Sequence, residues 1–233
     1  METNTQSREG CFRNKEGILQ VHSVFRTIQG EGPFAGTPAI FVRLTGCNLQ
    51  CQWCDTEYTS IREETSPTDL VQRCLELSDK VVRLIVITGG EPMRQNIAPF
   101  IMTAIKAGYS VQVETNGTMH VEDVAKMARR SLMPLTIVVS PKTAKLHPDL
   151  VYHALKYVVS DGEVDDDGLP NSVLGNGHKV ARPPKSFGGE VFVQPMDEQD
   201  KDKNHLHNQA AVNSCMKHGY RLCLQMHKYM GLD

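Results

Sequence analysis

Three cysteines fall within eight positions of this chain, in the string Cys47-Asn48-Leu49-Gln50-Cys51-Gln52-Trp53-Cys54. Thiolates gathered on so short a loop bind soft metals or iron-sulfur clusters, and the C-x-x-x-C-x-x-C spacing lets three of them reach three corners of one cube. The fourth iron then has no cysteine. An iron with open positions can chelate a small molecule and pass it an electron. The competing chemistry is structural zinc, which wants four closed ligands and would need a histidine or a distant cysteine such as Cys74 to complete the set. Spacing alone leaves both open. Seven cysteines in all, an odd number and unevenly placed, suit a metal site in a reducing compartment better than a disulfide framework.

The elements around the loop decide where it sits. Residues 39–44 are apolar and β-branched, as a buried strand would be, and they run directly into Gly46-Cys47. A second apolar run, residues 81–88, ends in Gly89-Gly90-Glu91-Pro92, and a helical pattern follows over 97–107. Ser66-Pro67-Thr68-Asp69 marks the start of a helix reaching Asp79. Further strands are expected at 18–27, 110–115, 135–140, 154–160, 190–194 and 221–226, with helices at 121–130 and 205–218. Such alternation predicts an α/β fold with a parallel sheet and crossover helices. Residues 1–17 read as a flexible polar tail before a single domain at 18–233. Asp165-Asp166-Asp167-Gly168 and Pro183-Pro184 mark a surface excursion at about 161–190.

Composition narrows the function classes. A formal charge of -2 supplies no basic field for nucleic acid, so none is expected as a partner. No apolar run approaches the ~20 residues of a membrane span, and the first residues lack the apolar core of a signal peptide, so a cytoplasmic protein without membrane contact is expected.

The cysteine loop after a strand, followed at the next long strand end by Gly89-Gly90-Glu91-Pro92, resembles the radical S-adenosylmethionine superfamily. More specific strings resemble the 7-carboxy-7-deazaguanine synthase family. They are Thr27-Ile28-Gln29-Gly30-Glu31-Gly32, Phe41-Val42-Arg43-Leu44, Trp53-Cys54-Asp55-Thr56, Ile87-Thr88-Gly89-Gly90, Glu114-Thr115-Asn116-Gly117-Thr118, Ser140-Pro141-Lys142, Gln194-Pro195-Met196-Asp197 and Leu224-Gln225-Met226-His227-Lys228. Neither the leader before Ile18 nor the excursion is anchored by any of them.

That resemblance implies a partial or modified (β/α)6 barrel of the radical SAM type, with parallel strands and the cluster at their carboxyl ends. It implies ring contraction of 6-carboxy-5,6,7,8-tetrahydropterin to 7-carboxy-7-deazaguanine with loss of ammonia. Cys47, Cys51 and Cys54 would hold a 4Fe-4S cluster, and Thr56 would give its oxygen to Mg2+, although a threonine there could simply cap a turn. Trp53, Cys54, Asp55, Gly90, Ser140, Pro141, Lys142, Gln194, Pro195, Met196 and Asp197 match positions along S-adenosylmethionine, and Glu114 and Asn116 could face it too. Gly90 is expected to permit a close backbone approach. Ile28, Gln29, Gly30, Arg43 and Thr88 match substrate contacts, with the Asp233 terminal carboxylate as a further one. Arg43 suits a carboxylate because its guanidinium offers paired donors; without the motif it would read as a surface ion pair. A homodimer and an electron donor such as a flavodoxin are implied partners. The rivals are an activating enzyme that makes a glycyl radical on another protein and a zinc-binding interaction module. Cys11, Cys74, Cys215 and Cys223 match no motif position, and buried cysteine usually acts as a small hydrophobe.

Overall fold

The strands that form the sheet are mostly apolar and β-branched, a composition suited to burial on both faces. The computed structural model describes residues 3–232 apart from Leu174 and Asn176. Strand β1 (Leu19–Ile28) runs antiparallel to β2 (Pro38–Leu44), with Val24 opposite Val42 and Phe25 opposite Phe41. A short edge strand, β3 (Glu63–Thr65), pairs antiparallel with the start of β1. From β2 onward the sheet is parallel, through β4 (Leu84–Gly89), β5 (Ser110–Thr115), β6 (Leu135–Val139), β7 (Ala154–Val159), β8 (Glu190–Pro195) and the short β9 (Arg221–Leu222). The order β3-β1-β2-β4-β5-β6-β7-β8-β9 leaves the sheet open. The expected α/β fold of parallel strands is thus borne out as a mostly parallel open sheet, with β1 and β3 antiparallel at one edge.

Helices α1 (Pro67–Ser78), α2 (Ala98–Lys106) and α3 (Glu122–Ala128) cover its first half. Helix α1 begins where the motif placed it: the Ser66 hydroxyl accepts from the Asp69 amide, and Pro67 needs no amide partner at the first position. Helix α4 (Lys201–His218) starts ahead of its expected residue 205 because the Asp200 carboxylate caps the amides of Asp202 and Lys203. No apolar periodicity marks that first turn. The last expected strand shortens to β9, and its remainder turns into α5 (Met226–Tyr229).

Two expectations change more. Among the described residues no helix joins β6 to β7 or β7 to β8. The excursion takes over that covering role: Leu169, Val173 and Val180 are buried in the main core, and the Tyr157 hydroxyl donates to the Ala181 carbonyl at 2.7 Å. Arg182 ties it further, pairing with Asp165 at 2.6 Å and Asp167 at 2.7 Å. A segment that must cover a sheet edge without helical periodicity looks like a loop in sequence. The expected tail is likewise held in place, since Arg8 forms a parallel bridge with Cys47 and Phe12 one with Gln95.

Candidate active site

The carboxyl ends of parallel strands gather loops on one edge of the sheet, and the cavity lies there. It has a volume of about 420 Å3, within the range of small-molecule sites. Pleating brings alternate residues of β1 and β2 to one face, so Phe25, Thr27, Phe41 and Arg43 share a wall. The cysteine loop contributes Cys47, Cys51, Trp53, Cys54, Asp55 and Thr56; the β4 and β5 ends contribute Thr88, Gly90, Glu114 and Asn116. Ser140, Lys142, Gln194, Met196 and Asp197 come from the later strand ends.

The three motif cysteines meet the same cavity, and burial pushes the Cys47 thiol up to about 12 and raises those of Cys51 and Cys54. A metal must displace those protons, and N–H groups stand ready to support the sulfur: the Leu49 amide lies 3.4 Å from Cys47 Sγ. Among the described residues the group whose ligand atoms lie within 4.8 Å of one another is His120, His147 and Asp149. The three motif cysteines do not form such a group. Cys74, the possible fourth ligand, is fully buried in the main core on α1 and does not line the cavity. The donor set fits a cluster with one iron lacking a protein thiolate.

Glu91, just after the double glycine, organises the neighbouring loop. Its carboxylate accepts from Thr115 Oγ1, the Asn116 amide and the Met93 amide at 2.7 to 2.8 Å, and burial raises its pKa. Asn116 in turn donates to Asn48 beside Cys47. Gly90 does need to be glycine, and the cysteine loop itself gives a reason. A Cβ there would lie 2.1 Å from the Gly46 carbonyl oxygen, so its bare face admits the backbone of the cysteine loop. Gly30 is similar: a Cβ would sit 2.4 Å from His227 Nδ1, so this glycine lets α5 pack over the turn.

The charged groups divide into paired and unpaired. Glu31 and Lys156, buried in the cavity wall, form an ion pair. Burial alone would raise Glu31, yet the adjacent ammonium holds it below the ordinary carboxylate value; Lys156 is raised against its own desolvation by Glu31. Glu114 accepts from Gln29 at 2.9 Å, Gln112 at 3.0 Å and Thr88 at 3.1 Å, so the polar wall is hydrogen-bonded internally. Lys142 donates to Ser140 Oγ at 2.6 Å, and burial lowers its pKa. Arg43 differs: its guanidinium lies 5.3 Å over the Phe25 ring, and its buried Nε has no hydrogen-bond partner among the described residues. Thr56 donates to Asp55 at 3.4 Å, while Asp55 meets Lys228 at 3.1 Å.

Ile28, Gly30, Pro141 and Pro195 do not line the cavity; they form the turns and strand ends behind it. Asp233 lies outside the described residues. Sequence reasoning missed Glu31, Lys156, Phe25, Phe41, Asn48 and the covering role of Lys228. Lys156 had a signal, since it is the one charge in the apolar strand Ala154-Leu155-Lys156-Tyr157-Val158-Val159.

Residues 41–153 match the family model of the radical SAM superfamily, which defines the class of protein to which this sheet and cysteine loop belong. The chain is 39% identical over 229 residues to the 7-carboxy-7-deazaguanine synthase of Rhodospirillum rubrum, covering 91% of this chain and 92% of the relative. It is 38% identical over 231 residues to that of Rickettsia prowazekii, covering 92% and 89%. The chain belongs to the 7-carboxy-7-deazaguanine synthase family. Its fold matches the crystal structure of QueE from Escherichia coli with a TM-score of 0.66 at 22% identity, over 89% of this chain and 93% of that one. Among the described residues no helix is long and apolar enough to cross a membrane.

Proposed function

We propose that this chain contracts 6-carboxy-5,6,7,8-tetrahydropterin to 7-carboxy-7-deazaguanine with loss of ammonia. Arg43 is the observation that carries the substrate. A guanidinium on the wall of a cavity, stacked on an aromatic ring and without an ion pair among the described residues, is poised for a carboxylate. Phe25 and Phe41, stacked with ring centroids 5.5 Å apart, offer apolar surface beside it to a flat ring.

A 4Fe-4S cluster with S-adenosylmethionine on its open iron supplies the radical chemistry when bound. The chain's own residues hold and orient. Cys47, Cys51 and Cys54 are the ligands, with Asn116 and the Leu49 amide supporting Cys47. Lys142, fixed by Ser140, offers a buried cation to a carboxylate of the cofactor. Trp53, Asp55, Gly90, Gln194, Met196 and Asp197 bound the rest of that volume. Gln29, Thr88 and Glu114 form the polar wall that a pterin edge would meet, through exchange of their present hydrogen bonds. Thr56 is assigned to Mg2+, supported by its place on the cavity wall next to Asp55. The family likeness also suggests a homodimer and a reductant such as a flavodoxin.

The test is an anaerobic assay of the reconstituted protein with S-adenosylmethionine, Mg2+, reductant and the carboxypterin, followed by mass. A 7-carboxy-7-deazaguanine peak is expected. Formation of 5'-deoxyadenosine without that product would retain the superfamily chemistry and remove the substrate assignment.

A further inference from the structure

Residues 3–13 match no motif, yet they run beside the cysteine loop, and Asn4, Gln6 and Glu9 hydrogen-bond to it. The Asn4 amide donates to the Gln52 carbonyl at 2.7 Å, and its side chain donates to the Cys51 carbonyl at 3.0 Å. Gln6 uses both ends of its amide: Nε2 donates to the Thr56 carbonyl at 2.9 Å, and Oε1 accepts from the Tyr58 amide at 2.8 Å. The Glu9 amide donates to the Cys47 carbonyl at 2.7 Å. Two of the three cysteine ligands thus have their carbonyls satisfied by this one segment.

Glu9 anchors the segment below the loop. Its carboxylate bridges Arg62 at 2.5 Å and Arg94 at 2.8 Å, and the nearly buried Arg94 also donates to the Thr45 and Gly10 carbonyls. Gly46, with φ 74, leaves the space for that pair: a Cβ there would sit 2.7 Å from both Glu9 Oε2 and Arg94 Cζ. The backbone leading into Cys47 therefore rests on the Glu9–Arg94 pair.

We propose that residues 3–13 are a strap that holds the cysteine loop in its ligating conformation and slows loss of the cluster, with Asn4 and Gln6 as positioning residues. The physical reason is the loop's shape. Between Leu44 and Glu63 it forms no strand or helix, so its carbonyls have no ladder to join and need partners from outside. The strap supplies them, and a loop fixed at Cys47, Cys51 and Thr56 cannot swing a ligand away from a bound iron. This rests on the cluster reading given above.

The experiment measures how fast a ferrous chelator removes iron from the reduced, anaerobically reconstituted protein. The variants are Asn4→Ala with Gln6→Ala, and a chain begun at Arg8, which keeps the Glu9–Arg94 pair. Both are expected to load about four irons per chain, as the wild type does. Both should then release them roughly tenfold faster, the scale of one or two hydrogen bonds, while the melting temperature of the iron-free chain is unchanged. Release at the wild-type rate by loaded variants would overturn the strap. So would faster release matched by a lower melting temperature before iron is added, because the segment would then be general packing. A wild-type protein that holds no iron would instead overturn the cluster assignment on which the strap depends.

Discussion

The floor and the rim of the cavity each carry a lysine–carboxylate contact, and their surroundings give them opposite uses. On the floor, Lys156 and Glu31 have side chains only 13% and 10% exposed. On the rim, Lys228 reaches Asp55 at 3.1 Å and Asp197 at 3.4 Å, with side-chain exposures of 36%, 50% and 29%. A buried pair is held by what would follow if one partner left, namely an uncompensated charge in a poor dielectric. An exposed pair is close to neutral in free energy and yields to water or salt. The floor is therefore fixed architecture, and the rim contact is the weaker of the two. Between them Arg43 has no ion pair among the described residues, which is the observation behind its proposed role toward the substrate carboxylate.

The largest effect should come from halving the floor pair. Glu31→Ala is expected to cost about 3–5 kcal/mol of stability by chemical denaturation, whereas Glu31→Gln with Lys156→Met should cost less than either single change. Its pH dependence has a definite sign. Glu31 is lowered in the folded protein, so its contribution is present above its unfolded value and is lost as pH falls through the folded one. Lys156 is raised, so its contribution is present below its unfolded value and is lost as pH rises through the folded one. The wild type should lose stability on acidification below the ordinary carboxylate value of 4.5, and the double variant should show a shallower acid limb. Equal acid limbs would mean that the pair does not stabilise the floor.

Arg43→Ala comes next and is read in turnover. Removing the cation opposite a desolvated carboxylate should lower kcat/KM by roughly a hundredfold, or about 3 kcal/mol. Substrate-independent cleavage of S-adenosylmethionine by reductant should stay measurable. Arg43→Lys should rescue little, because an ammonium lacks the paired donors and the flat face that rests on Phe25. Equal loss of both activities would remove Arg43 from the substrate and make it part of the wall.

The floor and rim also mark what the sequence could and could not say. The three cysteines, Arg43, Thr88 and Lys142 were legible as cavity residues because each sits at a strand end or in the loop that follows one, where apolar periodicity stops and a specific string begins. Glu31 was hidden inside a turn string whose glycines explained it well enough, and its partner lies on β7, far along the chain. Pairings across a sheet carry no local signal. The strap and the excursion were misread for the same reason: Asn4, Gln6 and Arg182 act through single hydrogen bonds and ion pairs rather than through a repeating face. Gly90 has a cause that its motif did not show. Its motif pointed to a close approach, and the fold adds the Gly46 carbonyl as an approaching group, a contact made across loops that no local string records.

Lys228→Ala should give the smallest effect, and its smallness is what separates rim from floor. The ion pair it removes is exposed, so stability should change by no more than about 1 kcal/mol. The lysine raised by Asp55 and Asp197 nevertheless joins α5 to both the cysteine loop and the β8 end, and α5 brings His227 and Lys228 to the cavity wall. Losing that contact should raise KM roughly two- to threefold with little change in kcat, since exposed charges hold α5 against the cavity wall by only a few tenths of a kcal/mol to 1 kcal/mol. Added salt should raise the wild-type KM toward that of the variant while leaving the variant's own KM nearly constant, because screening acts on a contact the variant lacks. A stability loss as large as that of Glu31→Ala would show that the rim is as rigid as the floor, and that ligands must enter by another path.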